Sequence, residues 1–311
     1  MSMSGSAVEL PITTDTTPEE KISSRQLKKQ LRLQDAKTKL SSPWASGVAI
    51  ILAILWTIPT FGLFVTSFRP PADISTSGWW TFFANPGVTF DNYTNAWGEG
   101  LAGFFLNSFV IVLPAVIIPI SLALLAAYAF AWIDFKGRTI LFVAIFALQI
   151  VPIQVTLIPL QTIFVSFGLQ NSFWPVWISH TIFGLPLAIF LLHNFMKEVP
   201  ASIVEAARVD GAGHVKIFFV VLLPLLVPAI AAFGIFQFLW VWNDLLVALV
   251  FAPSPNLRPI TAAIADLSGT RGNQWELLSA GAFISMVVPL IVFISLQRYF
   301  VRGLLAGGVK G

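Results

Sequence analysis

Five titratable side chains crowd into twelve residues of this chain. Glu205, Arg208, Asp210, His214 and Lys216 all fall within the stretch EAARVDGAGHVKIFFVVLLP, Glu205 to Pro224. Such residues move protons when two of them converge on a reacting group. They hold a metal when His and carboxylates recur at ligand spacing, and they activate a nucleophile when a base sits beside a hydroxyl or thiol. None of these patterns is present. His180, His193 and His214 have no ligand spacing and read as structural, so no metal site is expected. The chain has no cysteine, which excludes disulfides and thiolate chemistry. It has no G-x-x-x-x-G-K-[ST] phosphate loop and no Gly-Lys dipeptide, so it is not expected to hydrolyse ATP itself.

What the stretch does carry is the marking of helix ends. Ser202 stands three residues before Glu205, the spacing of a capping box. Gly211 fits the left-handed position that closes a helix. Ile203, Ala206 and Ala207 give one small apolar side, HVKIFF restarts a helix, and Pro224 falls early in the following apolar run, where a missing N–H is best tolerated. The expected structure is a short helix, a glycine turn and a second helix. On these residues alone, a loop helix lying at the headgroups and a protein-docking element are equally good readings.

The elements that hold this stretch are apolar. Of 311 residues 56% are hydrophobic and 11% charged, whereas a soluble domain carries about 25% charged residues. The chain is therefore an all-α integral membrane protein. A hydrocarbon core of about 30 Å needs about 20 apolar helical residues, and six windows qualify: 45–68, 104–131, 139–163, 174–196, 218–243 and 278–297. The first is longer than a usual signal-peptide core, and TSFRPPADIS offers no small-x-small cleavage site, so it is expected to remain as a span. Three regions follow: a basic N-terminal tail over 1–43, a six-helix domain over 44–297 with its cytoplasmic loop at 198–224, and a C-terminal tail over 298–311.

With the N-terminus in the cytoplasm, fifteen of the 18 Lys and Arg residues lie inside and only Arg69, Arg258 and Arg271 outside. The positive-inside rule supports that orientation, with both termini cytoplasmic and the EAARVDGAG stretch facing the cytoplasm. The formal charge of +3 then belongs to retained loops rather than to nucleic-acid binding. No Lys, Arg, Asp or Glu lies near the centre of a span; the nearest is Asp244, at the outer end of the fifth. This argues against a proton-driven carrier. Asn107, Gln149, Gln154, Asn243 and Asp244 are the amides and carboxylate that can line a polar path, with Phe236, Phe238, Trp240 and Trp242 as aromatic faces. Trp240 and Trp242, near a span end, read first as interfacial anchors.

The order Glu205-Ala206-Ala207, three residues, Gly211, nine residues, then Val221-Leu222-Leu223-Pro224 resembles the signature loop of ABC-importer permeases, with Val221 in place of isoleucine. RPPADI with FDNYTNAW, AYAFAWIDFKGR and the end QRYFVRGLLAGGVKG resemble the carbohydrate-importer permeases of the maltose and α-glucoside type. The resemblance covers residues 45 to 311.

It implies the type I importer permease fold in a prokaryotic inner (plasma) membrane. The partners it implies are a second homologous permease, two ATPase subunits that bind ATP and Mg, and an extracytoplasmic sugar-binding protein. No cofactor is implied for this chain. Glu205, Ala206, Ala207, Asp210, Gly211 and Pro224 would form the joint to an ATPase subunit. Leu304, Gly307, Gly308, Lys310 and Gly311 would reach the ATPase pair. Asn107, Gln149, Gln154 and Asn243 remain the candidates for the sugar path. The solute would be a maltodextrin, an α-glucoside or a trehalose-like sugar. Two other classes compete: a stand-alone carrier or channel, which needs a coupling charge or inverted repeats, and a membrane enzyme, which needs convergent titratable groups.

Overall fold

The structure, a computed structural model, describes residues 43–269 and 274–308. Among these residues the regular structure is helical throughout. In hydrocarbon every backbone N–H and C=O must be satisfied within its own segment, which leaves the helix as the form for these apolar runs.

The helices run in chain order: α1 (Pro43–Ser67), α2 (Pro71–Thr76), α3 (Asp91–Ala96), α4 (Ala102–Trp132), α5 (Arg138–Ala147), α6 (Ile153–Ser166), α7 (Trp174–Glu198), α8 (Ala201–Val209), α9 (His214–Trp242, with a π-turn at Ile217–Leu222), α10 (Leu246–Phe251), α11 (Ile260–Gly269) and α12 (Trp275–Gly308). Residues through Thr60 form one compact unit and those from Phe61 a second. The first unit presents a continuous apolar surface, with Ile50, Ile51, Leu52, Ile54, Leu55 and Trp56 all exposed.

Among the described residues five helices are long and apolar enough to cross a membrane: α1, α4, α7, α9 and the Trp275–Gln297 part of α12. The third expected span departs from expectation. It is not one helix but a pair, Arg138–Ile150 and Ile153–Ser166, bent by 101°. Each is about 20 Å long, too short to cross alone. The cause is Pro152, which has no N–H to donate and forces the residue before it out of the helical region. Val151 is accordingly extended, at φ −71° and ψ 121°, and Pro152 follows at ψ 132°.

The tightest packing in the second unit is between α4 and α7. Along α4, Ala115, Pro119, Ala123, Ala127 and Ala131 recur every four residues and all are buried. A stripe of small side chains lets two membrane helices approach closely, and backbone contact replaces the side-chain burial that drives soluble proteins. Gln237 of α9 is fully buried beside this seam; its carboxamide donates to the Ala115 carbonyl at 3.2 Å and lies against Gly184 of α7. Trp242 corrects the expectation of an interfacial anchor. It is 1% exposed, its indole N–H donates to the Ser285 carbonyl at 3.1 Å, and its ring stacks on Phe238 and meets Phe105 and Phe109 edge-on.

The first outer loop is pinned by a buried cation. The Arg69 guanidinium, 3% exposed, donates to the carbonyls of Asp73 and Ser77 and to the hydroxyls of Ser77 and Thr81. Asn92 closes the same knot by donating to the carbonyls of Ser67 and Arg69. These bonds hold α2 and α3 over the end of the bundle.

Candidate functional site

The charged stretch forms a corner between α8 and α9. Its start differs from the capping-box expectation. Pro200 is the N-cap residue, no side chain caps the helix, and Ser202 lies inside it. The fixed φ of proline already sets the chain direction here, and the Ile203 N–H bonds to the Pro200 carbonyl at 3.1 Å, so no reciprocal Ser–Glu pair is required. Glu205 is thereby left exposed and uncommitted to a cap.

The helix end follows expectation. Gly211 has φ +77°. Its N–H donates to the Arg208 carbonyl and the Ala212 N–H to the Ala207 carbonyl, each at 2.9 Å. These are the paired bonds of a Schellman closure, which needs a left-handed residue at the position of Gly211. Asp210 is the last residue before that turn and is exposed.

The side of α8 that packs on the bundle is set by Val204. Val204, 1% exposed, enters a core with Ala131, Met196, Ile217 and Leu222, and Ala212 joins the same core. Of the small apolar side, Ile203 and Ala206 are exposed and Ala207 is half-buried. Val204 anchors the corner from below, while Glu205, Ala206, Val209 (87% exposed) and Val215 (73% exposed) remain uncovered. An apolar pair at such exposure beside a carboxylate and two small residues is a surface suited to close contact with another protein.

The corner continues into α9 without slack. His214 Nδ1 and the Tyr128 hydroxyl of α4 share a hydrogen bond of 2.8 Å. The π-turn over Ile217–Leu222 comes next, with the Leu223 N–H donating five residues back to the Phe218 carbonyl. Pro224 then enters at the first turn of the regular helix, where the wider turn accommodates its missing donor.

The four polar-path candidates separate. Gln149 and Gln154 line one cleft of about 450 Å³ around the break at Pro152, with Phe183 and Pro186 of α7 on its far side. Asn107 is committed to structure: its amide donates to the carbonyls of Asn256 and Arg258 and ties α4 to the last outer loop. Asn243 donates to the Leu239 carbonyl of its own helix end. Asp244 accepts the Ala248 N–H at the start of α10, and its carboxylate lies 3.8 Å from buried His180. Sequence reading missed this His180–Asp244 pair and the Gln237 bridge, since their partners are far apart in the chain; the small-residue spacing from Ala115 to Ala131 was the available signal. In the C-terminal region the helix α12 continues to Gly308, so the backbone of Leu304, Gly307 and Gly308 is helical. Lys310 and Gly311, like the N-terminal tail, lie outside the described residues.

Three comparisons bear on what such a corner belongs to. The osmoprotective compounds uptake permease protein GgtD of Synechocystis sp. is 50% identical over 270 residues, covering 85% of this chain and 91% of that one. The alpha-glucoside transport system permease protein AglG of Rhizobium meliloti is 49% identical over 233 residues, 73% of this chain and 61% of its own length. Among solved structures, a bacterial ABC transporter involved in the import of the acidic polysaccharide alginate shares the fold, with a TM-score of 0.70 at 22% identity over 83% of this chain and 96% of that one. The family model for the binding-protein-dependent transport system inner membrane component matches residues 119–305, which include the small-residue seam from Pro119 onward, the broken span and the whole α8–α9 corner. The chain belongs to the family of binding-protein-dependent transport system inner membrane components.

Proposed function

We propose that this chain is the permease subunit of an ATP-driven importer of neutral sugars, with α-glucosides as the leading substrate class. It works beside a second homologous permease, two ATPase subunits that bind ATP and Mg, and an extracytoplasmic sugar-binding protein. The chain hydrolyses no ATP itself and receives the work through the α8–α9 corner. The observation that carries this reading is the corner's construction. Val204 and the Schellman closure fix it to the bundle, while Glu205, Ala206 and Val209 stay uncovered. A surface built in this way transmits a push from a docked partner as movement of helices rather than as bending of a loop. Asp210 and Gly211 set the turn, and Pro224 sets the re-entry into the membrane. Leu304, Gly307 and Gly308, with Lys310 and Gly311 beyond them, supply a second contact to the ATPase pair. The sugar class is supported by the alpha-glucoside permease at 49% identity and by a melibiose/raffinose/stachyose import permease of Bacillus subtilis at 33%.

The test is ATP hydrolysis by the complete complex in proteoliposomes, with the binding protein and one sugar at a time. The wild type should show sugar-stimulated turnover. The double variant Gly211→Asp with Glu205→Lys should keep its place in the membrane and lose that stimulation. Wild-type chain that assembles with no ATPase overturns the reading and makes a self-sufficient carrier the better one.

A further inference from the structure

The break in the third span leaves irregular backbone where a membrane helix should run. Leu148–Ile150 closes the first helix as a 3-10 turn and only Val151 and Pro152 leave the helical region; all five are exposed on this protein's surface, and one full helix length of about 20 Å separates the break from the cytoplasmic turn at Arg138. Backbone that is neither helical nor covered does not persist in hydrocarbon. At that depth it is found only against other protein or beside a water-filled path. Interrupted spans of this kind are also where carriers place their binding sites.

The side chains around the break favour the path. The cleft of about 450 Å³ lies within the usual range for small-molecule sites, about 300–1,000 Å³. Its walls are apolar apart from two carboxamides, Gln149 before the break and Gln154 after it, and Thr156, whose hydroxyl is spent on the Ile153 carbonyl. Among the described residues neither glutamine side chain has a hydrogen-bond partner. Each therefore offers one acceptor oxygen and two N–H donors to whatever enters. Phe183 and Pro186 supply flat apolar faces opposite them. No residue lining the cleft can ionise. A charged or zwitterionic solute would meet no counter-charge there, at a depth where an unpaired charge is costly. A polyhydroxylated neutral molecule matches both features, with hydroxyls for the carboxamides and C–H faces for the apolar wall.

We infer that the cleft at Pro152 is a sugar subsite of this chain, with Gln149 and Gln154 as its hydroxyl-binding groups. The inference rests on the importer reading above and sharpens it, because it puts part of the solute path on this subunit and excludes charged solutes from it. Asn107 and Asn243, whose amides donate to backbone carbonyls, do not line this cleft.

The absence of cysteine makes the test direct. Gln149→Cys, Gln154→Cys and, as a neighbour outside the cleft, Val155→Cys are each placed in the complete complex. Sugar-stimulated ATP hydrolysis is measured first in the wild-type complex, with maltose, trehalose and sucrose, and then in each variant. A neutral, hydrophilic methanethiosulfonate is then applied during turnover, with and without the stimulating sugar, and with glycine betaine as a zwitterionic control. The expected result is labelling at positions 149 and 154, slowed severalfold by the sugar and unchanged by glycine betaine, with little labelling at 155. Labelling that no sugar slows, or no labelling at 149 and 154 in a complex that sugar stimulates, overturns the subsite and leaves the importer reading standing. Protection by glycine betaine overturns the exclusion of charged solutes. Absence of stimulation of the wild-type complex by every sugar defeats the importer's sugar class and the subsite together.

Discussion

The sharpest test of the corner is a pair of glycines two residues apart. Gly211 has φ +77° and Gly213 has φ −76°. A Cβ built on either meets no atom within 4 Å. Sterically the two substitutions to alanine are equivalent, and only the backbone conformation separates them. Holding a non-glycine residue left-handed costs about 1–2 kcal/mol, while Gly213→Ala carries no such penalty. If Gly211→Ala keeps the Schellman closure, the corner is destabilised by about 1–2 kcal/mol, which multiplies its open population by about 5–30. Asparagine tolerates the left-handed region better than other side chains, so Gly211→Asn should fall between wild type and alanine.

Hydrogen exchange in nanodiscs reads this locally, because the Gly211 and Ala212 N–H groups are the two bonded in the closure. In Gly211→Ala these amides should exchange about 5–30 times faster than in wild type. In Gly213→Ala they should be unchanged, and amides of α4 and α7 should be unaffected in both. Equal exchange in the two alanine variants refutes the reasoning, since the left-handed requirement would then not be what closes α8.

Two further outcomes follow from buried contacts. Gly184→Ala places a methyl 2.8 Å from the Gln237 amide nitrogen, so the carboxamide must leave the Ala115 carbonyl; the lost bond and the disturbed seam should lower thermal stability in detergent by about 1 kcal/mol or more, and pairing it with Gln237→Ala should recover part of the loss. Tyr128→Phe removes the hydroxyl that meets His214 at 2.8 Å and should cost about 1 kcal/mol; a double-mutant cycle with His214→Ala should show the two losses to be strongly non-additive, and full additivity would mean that the bond does not hold α9 to α4.

The helical spans were legible because hydrocarbon leaves a twenty-residue apolar run few alternatives. The corner's end was legible too, since a left-handed closure has a strong preference for glycine and Gly211 stood just past the last apolar residue of α8. The corner's start was not. Ser202 and Glu205 have the right spacing for a capping box, but Pro200 sets the entry first, and local spacing does not say which of two valid devices is used. The break at Pro152 was hidden for a related reason. Proline is common in these spans, and Pro114 and Pro119 sit within an unbroken α4, so a proline alone does not distinguish a tolerated kink from a 101° bend. Nor did the sequence separate Asn107 from Gln149. Both are amides in apolar runs, and only the fold reveals that one already has two carbonyl partners while the other has none among the described residues.

The way the corner is built decides what a push on α8 can do. Val204, Ala212 and Ile217 lie in one core with Ala123, Ala127 and Ala131 of α4 and with Leu192 and Met196 of α7. Well-packed cores of this kind shift as bodies between discrete arrangements rather than deforming continuously. A load on the exposed face of α8 must therefore tilt α4, α7 and α9 together. The same α4–α7 seam runs on to Ala115 and Gln237, and α7 carries Phe183 and Pro186 into the wall of the cleft at Pro152. The far wall of that cleft is α6, whose only buried side chains are Leu157 and Phe164. One wall thus belongs to the body packed with the corner, and the other to a segment lightly attached to it. A tilt of the body changes the width of the cleft without unfolding anything, and this is the motion that a solute path alternating between two openings requires.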